Sequence, residues 1–200
     1  EVSFKGQDEQ QRDSQEFLMR AFLVALFMMA IVLVTQFNSF YSALLILTAV
    51  IMSTIGVLIG LLITGSPFGI IMSGIGVIAL AGIIVNNNIV LIDTFDHLRA
   101  TNAHNASIRE LILRTGAQRL CPVLLTTLTT VIGLMPMVLQ LNIDIVDRTV
   151  NYGAPSPQWW VQLSTAIVFG LSFSTILTLI VTPSALMLRE NVSQFFKKRK

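Results

Sequence analysis

The stretch 70–93, IIMSGIGVIALAGIIVNNNIVLID, limits what this chain can fold into more than any other. It carries no formal charge until Asp93, and a helix needs roughly 20 predominantly apolar residues to cross a bilayer. Near its far end stand three consecutive amides, Asn86, Asn87 and Asn88. Within a bilayer a polar side chain costs free energy unless it meets a partner or water. At about 100° per residue, three neighbours cover about 200° of helix circumference. They cannot all face one helix, so at least one looks at a different helix or at a cavity.

Four other apolar runs accompany this one, at about 17–37, 43–64, 121–141 and 159–188. The expected fold is an all-α membrane protein, a bundle of five transmembrane helices with no sheet. Composition agrees: hydrophobic residues make up 54% and charged residues 12%, about half the charged share of soluble domains. The single cysteine, Cys121, excludes an internal disulfide, and no grouping points to a metal, a cofactor or redox chemistry. There is no HExxH, no P-loop and no Ser/His/Asp grouping, so an enzyme is not expected.

The segments between the runs carry turn and packing signals. Gly65-Ser66-Pro67-Phe68-Gly69 reads as a tight turn. Gly56 and Gly60 in the second run, and Ala166, Gly170 and Ser174 in the fifth, are small residues at spacings of four, which let helix backbones approach closely. Residues 93–120 form a long polar connection. Within it, 105–119 reads as a short helix, with Ser107 to Glu110 as a capping box. That helix either lies along the membrane surface or packs on other protein. Pro122 suits the first turn of the fourth span, whereas Pro136 falls inside it. Residues 142–157 read as a polar loop.

Lys and Arg set the orientation. Arg99, Arg109, Arg114 and Arg119 share one side with the tail 189–200, which holds Arg189, Lys197, Lys198, Arg199 and Lys200. The positive-inside rule makes that side, and the C-terminus, cytoplasmic. A short basic tail after a span is better read as this topology signal than as a nucleic-acid site. The chain opens on a polar segment without the basic region of a signal peptide, and reads as a piece of something longer.

Depth brings the polar residues together. Asn87 lies six residues before Asp93, about 9 Å in from the cytoplasmic edge, and Thr126 lies five residues past Cys121, about 7.5 Å in. The third and fourth spans are antiparallel, so the two should share a level and pack side by side. Thr130 is one turn deeper than Thr126, flanked by Thr127 and Thr129. Asn86, Asn87, Asn88, Thr126 and Thr130 are therefore the candidate polar pathway for a proton or ion. The competing reading is a structural clasp, since amide and hydroxyl bonds between membrane helices contribute about 0.6–2 kcal/mol each.

The stretches VTQFNSFYSAL, AGIIVNNNIVLIDTF and RLCPVLLTTLTTVIGLMPMVL, in that order and spacing, resemble the C-terminal membrane segment of resistance-nodulation-division efflux permeases of the multidrug type. The resemblance runs from about residue 4 to 188. It implies that the five spans are the eighth to twelfth of twelve, with 1–16 the end of a periplasmic porter region. It implies a homotrimer in the bacterial inner membrane that exports amphiphilic compounds in exchange for protons. Its partners would be the missing N-terminal half of the same permease and, in many Gram-negative members, a periplasmic adaptor and an outer-membrane channel. The family's relay pairs two aspartates of the fourth span with a lysine of the tenth and a threonine of the eleventh. The threonine carries over to Thr126. The lysine falls at Asn86, where this chain departs from that pattern. A non-transporting membrane scaffold, whose helices only pack and assemble, is the alternative function.

Overall fold

The computed structural model describes residues 7–101, 108–144, 149–152 and 155–198. Five helices carry the fold: α1 Gln7–Phe37, α2 Phe40–Thr64, α3 Ile70–Thr101, α4 Ile108–Val138 and α5 Pro155–Lys198. Each contains a span long and apolar enough to cross a membrane, so the chain is a multi-pass membrane protein built as an all-α bundle.

The turns follow local chemistry. Between α1 and α2 only Asn38 and Ser39 intervene. Asn38 takes a positive φ of 45°, a conformation asparagine tolerates better than most residues, and the Ser39 side chain accepts from the Ser42 amide as N-cap. α2 ends at Gly65 with φ 63°. The Ser66 and Gly65 amides donate to the carbonyls of Leu61 and Leu62, the paired bonds of a Schellman cap.

The helices are longer than the apolar runs. α3 extends eight residues past Asp93 to Thr101. α4 is one continuous helix from Ile108, so the short helix expected over 105–119 is not a separate element. Its described part is the first third of α4, and the helix passes through Pro122 rather than starting there. Thirty-one helical residues reach about 46 Å, well beyond the roughly 30 Å of hydrocarbon, which leaves the charged first turns of α4 room outside the apolar layer. The expectation of no sheet needs a correction as well. β1 Leu141–Asp144 pairs antiparallel with β2 Thr149–Tyr152, with Leu141 opposite Tyr152 and Asp144 opposite Thr149. Both segments alternate apolar and polar residues, the period of a strand, and a two-stranded ribbon outside the span satisfies part of its own backbone.

α5 is the hub, packing on α2, α3 and α4. α2 and α4 flank the α3–α5 pair from opposite sides without a comparable interface between them, and α1 lies against α2 and α3. The main core joins Leu33, Ile46, Val50, Val57, Leu80, Ile84, Ala166 and Leu171. A second cluster, Leu91, Phe95, Leu111, Ile112 and Leu186, ties α3, α4 and α5 together near the Thr101 end of α3. The small residues sit in the closest contacts. A side chain added at Gly56 would meet Phe173 at 2.5 Å, one at Gly60 would collide with Phe169, and one at Gly170 would collide with Leu80. Ala166 faces Gly76, and Ser174 is buried. Glycine in these places lets bulky α5 and α3 side chains lie on the facing backbone.

Candidate functional site

The three asparagines part company around α3. Asn88 is fully buried, Asn87 is nearly so, and Asn86 is exposed, as the 100° step requires. Asn88 turns toward α5. Its Nδ2 donates to the Ile84 carbonyl at 3.0 Å and to Thr178 Oγ1 at 3.2 Å, while Thr182 Oγ1 donates to its Oδ1 at 2.9 Å. Thr178 and Thr182 stand one turn apart on α5, so a single amide spans both hydroxyls.

α4 behaves in the same way. Thr127 is buried and shares a 2.8 Å hydrogen bond with Thr175 of α5, which also donates to the Leu171 carbonyl. Thr126, Thr129 and Thr130 point elsewhere. Thr126 donates to the Pro122 carbonyl, Thr129 to those of Leu125 and Thr126, and Thr130 to that of Thr126. Thr126 and Thr129 are exposed, and Thr130 is partly so. Hydroxyls that bond only their own helix have acceptor capacity left for something outside it.

α3 and α4 pack against each other. Their register is fixed at one end by Arg119, whose Nε donates to Thr94 Oγ1 at 2.5 Å. Asn87 lies seven residues along α3 from Thr94, and Thr126 lies seven residues along α4 from Arg119. Antiparallel helices anchored there carry both residues to about the same depth, roughly 10 Å from the anchor. At this level Asn86 and Thr126 are each exposed, with Asn87 turned inward.

The structure thus divides the predicted residues into two sets. Asn88 joins α5 through threonines that the sequence reading did not single out. Their signal was present: Thr175, Thr178 and Thr182 recur at i, i+3 and i+7, one face of a helix. Asn86 and Thr126 are exposed and Thr130 is half-buried. Among the described residues, no group of three His, Cys, Asp or Glu side chains is placed to hold a metal ion.

The sequence model of the AcrB/AcrD/AcrF family matches residues 1–190. The swarming motility protein SwrC of Bacillus subtilis (strain 168) is 33% identical over 187 residues, which is 94% of this chain and 16% of SwrC. A crystal structure of a heavy metal efflux pump superposes with a TM-score of 0.74 at 29% identity, over 93% of this chain and 17% of the pump. The chain therefore spans about a sixth of the length of these relatives.

Proposed function

Since this chain belongs to the AcrB/AcrD/AcrF family, we propose that it is the C-terminal membrane part of a proton-coupled efflux permease that exports amphiphilic small molecules. Residues 1–16 then end a periplasmic porter region, and 189–200 form a cytoplasmic tail. The permease works as a homotrimer in the bacterial inner membrane, together with its own N-terminal half and, where the envelope has them, an adaptor and an outer-membrane channel. The observation that carries this reading is the outward face of α3 and α4. Asn86, Thr126 and Thr129 are exposed in the middle of helices apolar enough to span a membrane. The threonine hydroxyls donate to carbonyls of their own helix, but lipid offers the Asn86 amide no hydrogen bond, so a polar partner must cover it. A neighbouring helix bearing ionisable residues meets that need and makes the face one wall of a proton path.

Position 86 lacks the cation that the family resemblance puts there. Asparagine donates and accepts hydrogen bonds but exerts no net charge on a facing carboxylate. Coupling at this wall therefore works through hydrogen-bond rearrangement and not through a lysine–carboxylate pair. The test is accumulation of a fluorescent amphiphile in cells with and without the full-length protein. Lower accumulation that a protonophore abolishes supports the reading. Unchanged accumulation, with the protein present in the membrane, returns it to a scaffold whose helices only pack.

A further inference from the structure

Ser73 of α3 and Thr165 of α5 are fully buried, and among the described residues neither hydroxyl has a hydrogen-bond partner. A serine or threonine within a helix can donate to a carbonyl of the preceding turn. Ser53, Thr94 and Thr115, also buried, do so. The two exceptions stand on helices that pack against each other. We propose that they mark an internal hydration site between α3 and α5, where water enters at the Gly69 end and is held by Ser73, Thr165 and Gln162.

The glycines place the site. Gly69 immediately precedes α3, and its carbonyl accepts from the Ser73 amide at 2.8 Å. Gly69, Ser73 and Gly76 recur at i, i+4 and i+7, one face of a helix. A side chain added at Gly69 would collide with the Gln162 amide. One added at Gly76 would meet Ala166 at 3.0 Å and the Leu163 carbonyl at 3.3 Å. The face that carries Ser73 therefore lies along the turn 162–166 of α5, and Thr165 belongs to that turn. Gln162 is half-buried, so its amide, with one acceptor and two donors, stands between the buried hydroxyls and the outside.

The chemistry of the group selects water. Both hydroxyls have 0% exposure, so whatever serves them is small. Ser73, Thr165 and Gln162 are neutral, and a buried ion needs a counter-charge. Each of the three can both donate and accept, and a buried water typically makes about three hydrogen bonds to groups that otherwise lack a partner. The Asn88 clasp lies fifteen residues further along α3, about 22 Å away. The α3–α5 pair is then joined by direct bonds at the Asn88 end and through water at the Gly69 end.

Cysteine modification of the full-length protein in its membrane tests this. The background lacks native cysteines, the exposed Cys121 included. Ser73→Cys should react with a small water-soluble methanethiosulfonate on the order of tenfold faster than Ser53→Cys, because the thiolate is the reacting form and burial in apolar surroundings suppresses it. Ser53 is a fair control, being equally buried but bonded to its own helix. Melting gives a second readout with a definite sign. With water in the site, Ser73→Ala leaves that water a bond short and lowers the melting temperature. In a dry site the same change removes an orphan hydroxyl together with its desolvation cost, and the melting temperature stays level or rises. Equal cysteine rates, or a melting temperature that does not fall, would overturn the proposal. Neither result bears on whether the protein exports anything, so the hydration site and the efflux reading fail separately.

Discussion

The inner and outer faces of α3 and α4 use the same chemistry to opposite ends. Asn88 and Thr127 look inward and find threonines of α5 at 2.8 to 3.2 Å. Asn86 and Thr126, only two residues and one residue away, look outward; Thr126 bonds no further than its own helix. The difference shows which polar residues hold this chain together and which await something else. A buried amide with three hydrogen bonds is a clasp. An exposed amide in an apolar span is an unfinished contact. The helices divide along the same line. Of its most apolar window α5 buries 56% and α3 50%, whereas α4 buries 11% and α1 6%. α1 and α4 are therefore the edges at which further protein is expected.

The comparison breaks first at the glycines. Gly170→Leu drives a side chain into Leu80 and Val57, and overpacking of this kind costs about 1–3 kcal/mol, occasionally more. At Gly133, exposed on α4, an added Cβ meets nothing within 4 Å, and Gly133→Leu should lose no stability, leucine being the better helix former. Unfolding of the two variants in the same detergent measures this. Equal losses would mean that the α5 hub does not hold the bundle.

Next comes the clasp. Asn88→Leu removes the partner of Thr178 and Thr182 at a fully buried place, a loss of about 1–3 kcal/mol. Asn86→Leu, at an exposed position, should change the stability of the isolated chain by no more than about 0.5 kcal/mol. If both variants melt together, the three asparagines are equivalent and the division between the faces is wrong.

Much of this division was legible before any coordinates. The 100° step fixed that Asn86, Asn87 and Asn88 must diverge, and the runs located the five spans. The i, i+4 glycines pointed to the tight contacts. Three things were not legible. Which asparagine faces inward depends on where α5 sits, and a sequence without pairing information does not place one long helix beside another. The charges of 109–119 suggested a break before Pro122, but a proline near a helix start is also tolerated further in when neighbours satisfy the freed carbonyl. The hairpin of β1 and β2 hid in a loop of only sixteen residues, where two four-residue alternations are a weak signal.

The hydroxyl pair between α4 and α5 is a smaller step on the same scale. Thr127→Val keeps the shape and removes the bond to Thr175, at about 0.6–2 kcal/mol. Thr126→Val removes only a bond to the Pro122 carbonyl of the same helix, so its cost should be the lesser of the two. A reversal of that order in detergent unfolding would show that the outward threonines already have a structural task.

The smallest expected effect on stability is also the one that bears most on function. Asn86→Leu and Thr126→Val change exposed groups and should leave the amount of protein in the membrane unchanged. In the full-length permease they should nevertheless raise accumulation of an exported amphiphile toward the level of cells without the protein. The outward face is then completed by a polar partner that leucine and valine cannot serve. Asn88→Leu should show the opposite pattern, with less protein in the membrane but unchanged efflux per molecule that remains. Scoring transport against the amount of inserted protein separates the two. If Asn86→Leu and Thr126→Val transport at full rate per molecule, the outer asparagine and threonine are only packing surface for the neighbouring helix. The proposed proton path then has to run along another wall of the bundle.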